Sequence, residues 1–290
     1  MKLQALLAQA EQRLNAAPLA YGHGTTNAHD EAAWLVLWRL GMPLDSNLDA
    51  VAQQDIAAQA VDAVLALIDQ RISTRQPAAY LTQQAWLQGV QFHVDRRSIV
   101  PRSFIAELIA DGTIDPWLSD ATHRVLDLCT GNGSLAVLAA MAWPEVQVWG
   151  ADLSIDALAV ARINVDQHGL QSRITLLQSD GLSACPGPWD LILCNPPYVN
   201  AASMRTLPAE YLAEPELALA GGEDGMDFVR ALLRDVPPQL SENGVLVLEI
   251  GNERAHFEAA FPHLLPIWLP TSAGADQVLL LTRELLEQAP

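Results

Sequence analysis

Asp190-Leu-Ile-Leu-Cys-Asn-Pro-Pro-Tyr-Val199 is an apolar run that stops abruptly at two prolines. Leu191–Cys194 has the composition of a short buried strand. Pro196 and Pro197 lack a backbone N–H and have a fixed φ, so they cannot continue a central strand. Asn195 is restricted to an extended conformation by the proline that follows it. The stretch therefore predicts a stiff loop at the carboxyl end of a parallel strand, where open α/β sheets bind their ligands.

The chemistry of this loop suits a planar nitrogen. The side-chain carbonyl of Asn195 and the backbone carbonyl of Pro196 can both accept hydrogen bonds from one –NH2 group, and Tyr198 offers a flat face for the group that carries it. Orientation against an electrophile can contribute about 7–11 kcal/mol in the best cases, and fixed dipoles stabilise the positive charge that develops on nitrogen. The alternative interpretation is a plain Pro-rich turn, which Asn-Pro often marks.

The composition predicts a globular cytoplasmic protein of one large or two modest domains. The chain has 290 residues, half of them apolar, and its longest uninterrupted apolar run, Leu135 to Trp143, is too short to span a bilayer. The N-terminus lacks the apolar core of a signal peptide. Three cysteines, an odd number in a large chain, predict reduced thiols rather than disulfides. No Cys or His cluster has metal-ligand spacing, so we expect no metal site.

The net charge of −18, from 34 acidic and 16 basic side chains, indicates the class of partner. Tight binding to nucleic acid needs clustered Lys and Arg, so we expect no direct nucleic-acid binding. An acidic surface would instead attract a basic protein. The simpler interpretation is that the charge only keeps the protein in solution.

The order of patterns along the chain predicts three regions. Helical spacing marks residues 1–84, including a helix capped by Asp30 and stopped by Gly41. Alternating apolar residues after Gly89 predict a β-hairpin linker over 85–101. Residues 102–290 alternate strand and helix, which is typical of a doubly wound, mostly parallel α/β sheet, and two late strands predict an antiparallel edge. The expected strands are 123–128, 146–151, 173–178, 190–194 and 244–250, and the expected helices are 103–110, 133–142, 154–168 and 225–235.

Acidic residues follow three of these strands and predict a second binding site. Asp127 precedes the turn Cys129-Thr-Gly-Asn-Gly133, in which glycine lets the backbone approach a ligand closely. Asp152 ends the next strand, placed to accept hydrogen bonds from two ribose hydroxyls. Asp180 follows the strand after that, where it can accept from an adenine amino group. Three acids suit a ligand with positive charge and no phosphate, which favours S-adenosylmethionine and, together with the Asn-Pro-Pro-Tyr loop, a methyltransferase.

Two other interpretations of this site stay open. Gly131-Asn-Gly-Ser-Leu-Ala136 also matches the relaxed dinucleotide fingerprint, although Asp127 would repel a pyrophosphate. An acid after a strand can also simply cap the following helix. For the separate Asn-Pro-Pro-Tyr loop, an enzyme that methylates the adenine amino group of nucleic acid also stays open, because such enzymes hold a planar –NH2 group in the same way.

With these motifs in hand, the chain resembles the bacterial protein glutamine methyltransferases of the HemK/PrmB type, from about Arg75 to Gly251. Within them it is most similar to the PrmB branch, which modifies the third protein of the large ribosomal subunit. Relatives that modify release factors usually carry Arg-Pro-Asp-Thr-Glu where Arg102-Ser-Phe-Ile-Ala-Glu107 stands here. The motifs that carry the resemblance are Pro77-Ala-Ala-Tyr-Leu-Thr82, Val100–Ile109, Leu126–Gly133, Asn195–Val199 and Leu207–Gly225.

The resemblance implies a role for particular residues. It implies cofactor contacts at Cys129, Thr130, Gly131, Asn132, Gly133, Asp152 and Asp180, and glutamine binding at Asn195, Pro196, Pro197 and Tyr198. It also implies that the helical region recognises the substrate, a basic ribosomal protein. Phe104, Asn132 and Ser134 depart mildly from the family pattern, and none of them removes a side chain assigned to chemistry.

Two further features are left with open roles. The long segment 199–224 is interpreted as a lid over the substrate groove, or as a plain surface connection. Glu249, at the end of a late strand, is as consistent with a structural role as with a place in the cofactor pocket. A release-factor methyltransferase and a non-catalytic ribosome-assembly protein also stay open as functions.

Overall fold

A computed structural model describes residues 1–288 of the chain. The α-helices are α1 Leu3–Asn15, α2 Ala28–Leu40, α3 Leu48–Val51, α4 Ala58–Thr74, α5 Ala78–Thr82, α6 Ile105–Ala110, α7 Ser134–Ala142, α8 Ile155–Gln167, α9 Ala201–Met204, α10 Ala209–Leu212, α11 Asp227–Asp235, α12 Arg254–Ala260 and α13 Arg283–Gln288. The strands are β1 Gln84–Leu87, β2 Val90–His93, β3 Arg124–Leu128, β4 Gln147–Asp152, β5 Ile174–Gln178, β6 Trp189–Cys194, β7 Leu240–Glu249, β8 Ile267–Thr271 and β9 Gly274–Thr282. Short 3-10 turns lie at Asp115–Trp117, Glu216–Ala218 and Pro237–Gln239.

The first of two compact units comprises Met1–Ala85 together with Pro208–Ala213. Its core is formed by α1, α2 and α4, which bury their apolar faces against one another: Leu3, Leu6, Leu14, Leu35, Val64 and Ile68 are fully buried. Gly41 ends α2 in the left-handed conformation, as the sequence predicted. The prediction that Asp30 caps this helix is wrong. Asn27 is the cap, because its side-chain oxygen accepts a hydrogen bond from the Asp30 N–H at 2.9 Å.

A buried ionic cluster holds residues 208–213 within this first unit. Arg71, at 1% side-chain exposure, donates to Glu31 Oε1 at 2.8 Å and to Glu210 Oε1 at 3.1 Å. Arg75 donates to the two oxygens of Glu210 at 2.5 and 2.6 Å. Each buried carboxylate thus has a charged partner, which burial requires. The sequence pattern predicts that Glu210 belongs to the region 102–290, because nothing local connects it to Arg71.

The second unit, Trp86–Leu207 and Glu214–Pro290, is described up to residue 288. Its seven-stranded sheet has the order β5-β4-β3-β6-β7-β9-β8. β5, β4, β3, β6 and β7 are parallel, whereas β9 runs antiparallel to both β7 and β8. The doubly wound class, the five central strands and the antiparallel edge predicted from the sequence are confirmed.

Helices cover both faces of this sheet, so its central strands are apolar on both sides. On one face α6 and α7 pack on Val125, Leu191 and Val247, and on the other α11 and α12 pack on Leu126, Ile192 and Leu246. The chain order reverses beside β3, since β4 and β5 lie on one side of it and β6 and β7 on the other. Such a switch point leaves a crevice at the carboxyl ends of β3 and β6.

The hairpin β1–β2 also forms as predicted, with Gly89 in its turn at φ 74°. None of the helices within residues 1–288 is both long and apolar enough to cross a membrane.

Candidate active site

The register of the central strands brings the predicted motifs together. Leu128 at the end of β3 pairs with Cys194 at the end of β6 and with Ala151 on β4. The turn after β3, the acid that ends β4 and the loop after β6 therefore start side by side. They border one cavity of the second unit, whose wall includes Cys129, Thr130, Gly131, Asn132, Asp152, Asp180, Asn195 and Pro197.

The turn after β3 is shaped by positive φ angles at three residues. Cys129, Gly131 and Gly133 have φ values of 61°, 55° and 80°. A Cβ at Gly131 would meet nothing nearer than 4.0 Å, so the backbone here is open to a ligand. A Cβ at Gly133 would lie 3.1 Å from that of Ala161, so this glycine serves the close packing of α8. Gly133 does not line the cavity.

Asp127 lies beneath this turn and does not line the cavity. Its Oδ2 accepts hydrogen bonds from the Thr130 hydroxyl and, at 2.9 Å, from the Ala136 N–H in the first turn of α7. Oδ1 is buried and has no hydrogen-bond partner among the described residues. Burial raises the pKa of Asp127 to about 7, against the two hydrogen bonds that favour its carboxylate. Asp127, within β3, therefore supports the turn from behind.

Asp152 does line the cavity, and its side chain is fixed on both oxygens. Oδ2 accepts from the Gly131 N–H at 2.9 Å and Oδ1 from the Ser154 N–H at 2.8 Å. Burial raises the pKa of this carboxyl, while these N–H groups favour the charged form. Each oxygen keeps a second lone pair for a ligand hydroxyl. Asp180, after the neighbouring strand β5, is exposed and also borders the cavity.

The loop after β6 presents Asn195 and Pro197 to the same cavity. Pro196 is buried and Tyr198 half-buried, and neither lines the cavity. The Tyr198 hydroxyl donates a hydrogen bond to Glu249 Oε1 at 3.2 Å. Burial and the neighbouring Glu249 carboxylate raise the pKa of Tyr198 far above its usual value, so the phenol remains protonated.

The remaining wall of the cavity was predicted only where it falls within the expected lid, 199–224. It is formed by Arg97, Ser98, Ile99, Pro101, Arg102, Ser103, Leu153, Ser154, Pro215, Leu217, Ala218 and Phe228, among others. Arg102 is held by a bidentate ion pair with the buried Glu214, at 2.6 and 2.7 Å. Several of these wall residues belong to two motifs that carry the family resemblance, Val100–Ile109 and Leu207–Gly225. That resemblance is the signal from which their place at the cavity could have been predicted.

A second supporting residue that the sequence did not reveal is Asn164 on α8. It is fully buried, and its Nδ2 donates to the backbone oxygens of Asn132 at 2.8 Å and His93 at 3.0 Å. Its Oδ1 accepts from the His93 N–H at 2.7 Å. Asn164 thereby joins the glycine turn to β2 of the hairpin.

The cavity fits S-adenosylmethionine in hydrogen-bonding capacity. Asp152 and Asp180 can accept from hydroxyl and amino groups. Asn132 Nδ2 is buried at the cavity wall without a partner among residues 1–288, and so is available to a ligand carboxylate. No described part of the chain gathers three or more His, Cys, Asp or Glu side chains in an arrangement suited to a metal ion.

Comparisons with known proteins agree with this geometry. Residues 114–223 match the family described as the methyltransferase small domain. The ribosomal protein uL3 glutamine methyltransferase of Bordetella pertussis is 56% identical over 287 residues, which cover 98% of this chain and 96% of the relative. The protein of the same name from Neisseria meningitidis serogroup B is 48% identical over 283 residues, covering 97% of this chain and 93% of the relative.

A solved structure supports the fold alone. The methyltransferase from Pyrococcus furiosus has a TM-score of 0.50 and 17% sequence identity, and the match covers 68% of this chain and 90% of that one. The identity of about one half to the curated relatives, over nearly the full length of the chain, establishes the family as well as the fold. The chain is an S-adenosylmethionine-dependent methyltransferase and belongs to the family of ribosomal protein uL3 glutamine methyltransferases.

Proposed function

We propose that this protein methylates the side-chain amide nitrogen of a glutamine in ribosomal protein uL3. The observation that carries the proposal is that Asn195, fixed before two prolines, opens into the same cavity as Gly131 and Asp152. Bound S-adenosylmethionine supplies an electrophilic methyl group. The curated relatives that match the chain over nearly its full length carry this activity in their names.

The residues of the loop act on the substrate amide. Asn195 Oδ1 and the Pro196 carbonyl accept hydrogen bonds from its –NH2 group and so fix the direction of the nitrogen lone pair. Because these acceptors are preorganised, they stabilise the positive charge that develops on nitrogen without further rearrangement. Tyr198, which belongs to the loop but does not line the cavity, is proposed to pack against the amide plane once the substrate is bound. No strong base is needed, since the nitrogen loses its extra proton readily once it is alkylated.

We assign a different part of the cofactor to each group of residues in the turn and to each of the two acids. Asp152 binds the ribose hydroxyls, Asp180 the adenine amino group, and Cys129–Asn132 the amino-acid portion. Asp127 and Gly133 act from behind the turn, through Thr130 and α8. The segment 199–224 is proposed as a lid, which is supported by Pro215, Leu217 and Ala218 at the cavity wall.

The proposed partner is consistent with the charge of the chain. A net charge of −18 favours a basic protein and disfavours direct contact with nucleic acid. A ribosomal substrate also implies a cytoplasmic location. The helical first unit is proposed to recognise the substrate.

The test is transfer of radiolabelled methyl to separated ribosomal proteins and release factors from a strain that lacks these modifications. The Asn195→Ala variant is the control. Label on uL3 that depends on Asn195 is the expected result. Label on a release factor would keep the chemistry and overturn the substrate. Label on neither, with the cofactor bound, would overturn the proposed function.

A further inference from the structure

Glu249, the last residue of β7, is a buried carboxylate that accepts three hydrogen bonds. It is 2% exposed. Oε2 accepts from the Ser103 hydroxyl at 2.6 Å and from the Phe104 N–H at 2.9 Å, and Oε1 accepts from the Tyr198 hydroxyl at 3.2 Å. Burial raises the pKa of this carboxyl, whereas these donors and the nearby Ile105 N–H favour its charged form. Glu249 thus joins the segment before α6 to the loop after β6.

Tyr198 is also held at its ring and its backbone. A Cβ at Gly251 would lie 2.5 Å from Cε2 of the ring, so only glycine permits this contact. A Cβ at Gly225 would lie 2.3 Å from the Tyr198 carbonyl oxygen. The neighbouring Val199 exchanges backbone hydrogen bonds with Leu219 and Gly221, at 2.8 and 2.9 Å. Packing therefore holds the ring and the backbone of Tyr198, and the bond to Glu249 holds its hydroxyl.

The position of Tyr198 constrains Asn195, because only two residues separate them. Pro196 and Pro197 both have a fixed φ, and each restricts the residue before it. If the tyrosine moves, the two prolines allow little compensating rotation of the backbone, so Asn195 moves with it. The Asn195 side chain lies at the cavity wall at the other end of this stiff link.

We propose that Glu249 is a positioning residue for methyl transfer, which rests on the function proposed above. Its carboxylate fixes the Tyr198 hydroxyl, and the two prolines transmit that position to Asn195. Glu249 does not line the cavity, so it acts through the loop and touches neither reactant.

The test compares Glu249→Gln with Asp190→Asn. With the amide oxygen on Ser103 and Phe104, the new –NH2 donates to the Tyr198 hydroxyl, and the native bond to a charged carboxylate is replaced by a weaker neutral one. In the opposite orientation the –NH2 faces the Phe104 N–H, which cannot accept a hydrogen bond. Asp190 is a matched control at the opposite end of β6. Its carboxylate also accepts three hydrogen bonds, from the His123 and Arg124 N–H groups at 2.9 and 3.0 Å and from the Ser241 hydroxyl at 2.7 Å.

We expect Glu249→Gln to lower kcat about 100-fold, the effect of a displacement of about 1 Å at a reacting group, with an unchanged affinity for S-adenosylmethionine. Asp190→Asn is expected to lower the melting temperature without lowering kcat. Equal kcat in Glu249→Gln and wild type, or losses of kcat that follow melting temperature in both variants, would overturn the inference.

A double-mutant comparison isolates the path through the tyrosine. Tyr198→Phe keeps the ring and removes only the hydroxyl, so it also serves if Glu249→Gln fails to fold. When Glu249 acts through this hydroxyl, the double variant loses no more kcat than the more impaired single variant. Losses that multiply would show that Glu249 acts by another route.

Backbone hydrogen exchange tests the positioning without any substrate. We expect faster exchange of the Val199 amide, which donates to the Leu219 carbonyl at 2.8 Å, in Glu249→Gln and in Tyr198→Phe, and wild-type exchange in Asp190→Asn. Unchanged exchange in the first two variants would overturn the inference. A wild-type enzyme that binds the cofactor but labels no uL3 would instead overturn the proposed function, and this exchange measurement would still decide the role of Glu249.

Discussion

The ionic cluster of the first unit makes a prediction about acid stability that can be worked from the structure. Glu210 has no exposed side-chain surface and accepts from Arg75 at 2.5 and 2.6 Å and from Arg71 at 3.1 Å. Burial alone would raise its pKa, but the hydrogen bonds from Arg75, from the Glu210 backbone and from Arg71 outweigh burial and lower it from 4.5 to about 2. At about 1.4 kcal/mol per pH unit, this difference corresponds to about 3 kcal/mol of stability at pH 7.

The perturbation is Glu210→Gln, measured by urea unfolding followed by circular dichroism. We expect the free energy of unfolding at pH 7 to fall by about 3 kcal/mol, which agrees with the cost of about 3–5 kcal/mol for removing one partner of a buried ion pair. Because the folded-state pKa is depressed, the native stabilisation is present above pH 4.5 and is lost as pH falls towards 2.

The difference between wild type and Glu210→Gln should therefore shrink to less than half at pH 3. The exposed Glu216 provides a control for loss of a carboxylate from the same segment, and Glu216→Gln is expected to unfold like the wild type. A loss in Glu210→Gln that is below about 1 kcal/mol at pH 7, or that is equal at pH 7 and pH 3, would refute this reasoning.

Three further predictions concern the active site. Asn195→Ala should keep the calorimetric affinity for S-adenosylmethionine and lower turnover by about 100- to 1000-fold, as removal of a preorganised polar group does; loss of cofactor binding in a folded variant would contradict it. Asp152→Ala should weaken cofactor binding about 10- to 100-fold through lost charged hydrogen bonds, and an unchanged dissociation constant would remove Asp152 from the site. Burial raises the Asp127 pKa from 3.8 to about 7, so its contribution to stability is complete below pH 3.8 and is lost as pH rises through 7. The melting temperature of Asp127→Asn should therefore rise relative to that of the wild type between pH 5 and pH 8. A difference in melting temperature that stays constant over this range would show that Asp127 does not titrate there.

Most of the second unit could be predicted because its signals are local. Each central strand is an apolar run that ends at a residue unable to continue it, such as Pro196 after Asn195 or the glycines after Leu128. The parallel α/β class then places all of those ends at one edge. This is why Asn195, Asp152 and the turn around Gly131 were predicted to be near one another and lie on one cavity.

Local sequence signals did not distinguish residues that line the cavity from residues that lie behind them and support them. Asp127 and Gly133 belong to the predicted motif, but the structure turns the carboxylate of Asp127 towards Thr130 and Ala136 and packs Gly133 on Ala161. Asp127 lies within β3, and the partners of its side chain depend on how the following helix packs against that strand. Sequence spacing does not contain that information.

The sequence by itself determined the class of fold, the order of the motifs and part of the cavity wall, including Gly131, Asp152 and Asn195. Only the tertiary structure decided the partners of the buried carboxylates: Tyr198 with Glu249, Arg102 with Glu214, and Arg71 with Glu31 and Glu210. These pairs are 40 to 139 residues apart. A buried charge is stable only with a partner, and which partner reaches it depends on strand order, register and helix packing, which arise when the chain folds as a whole.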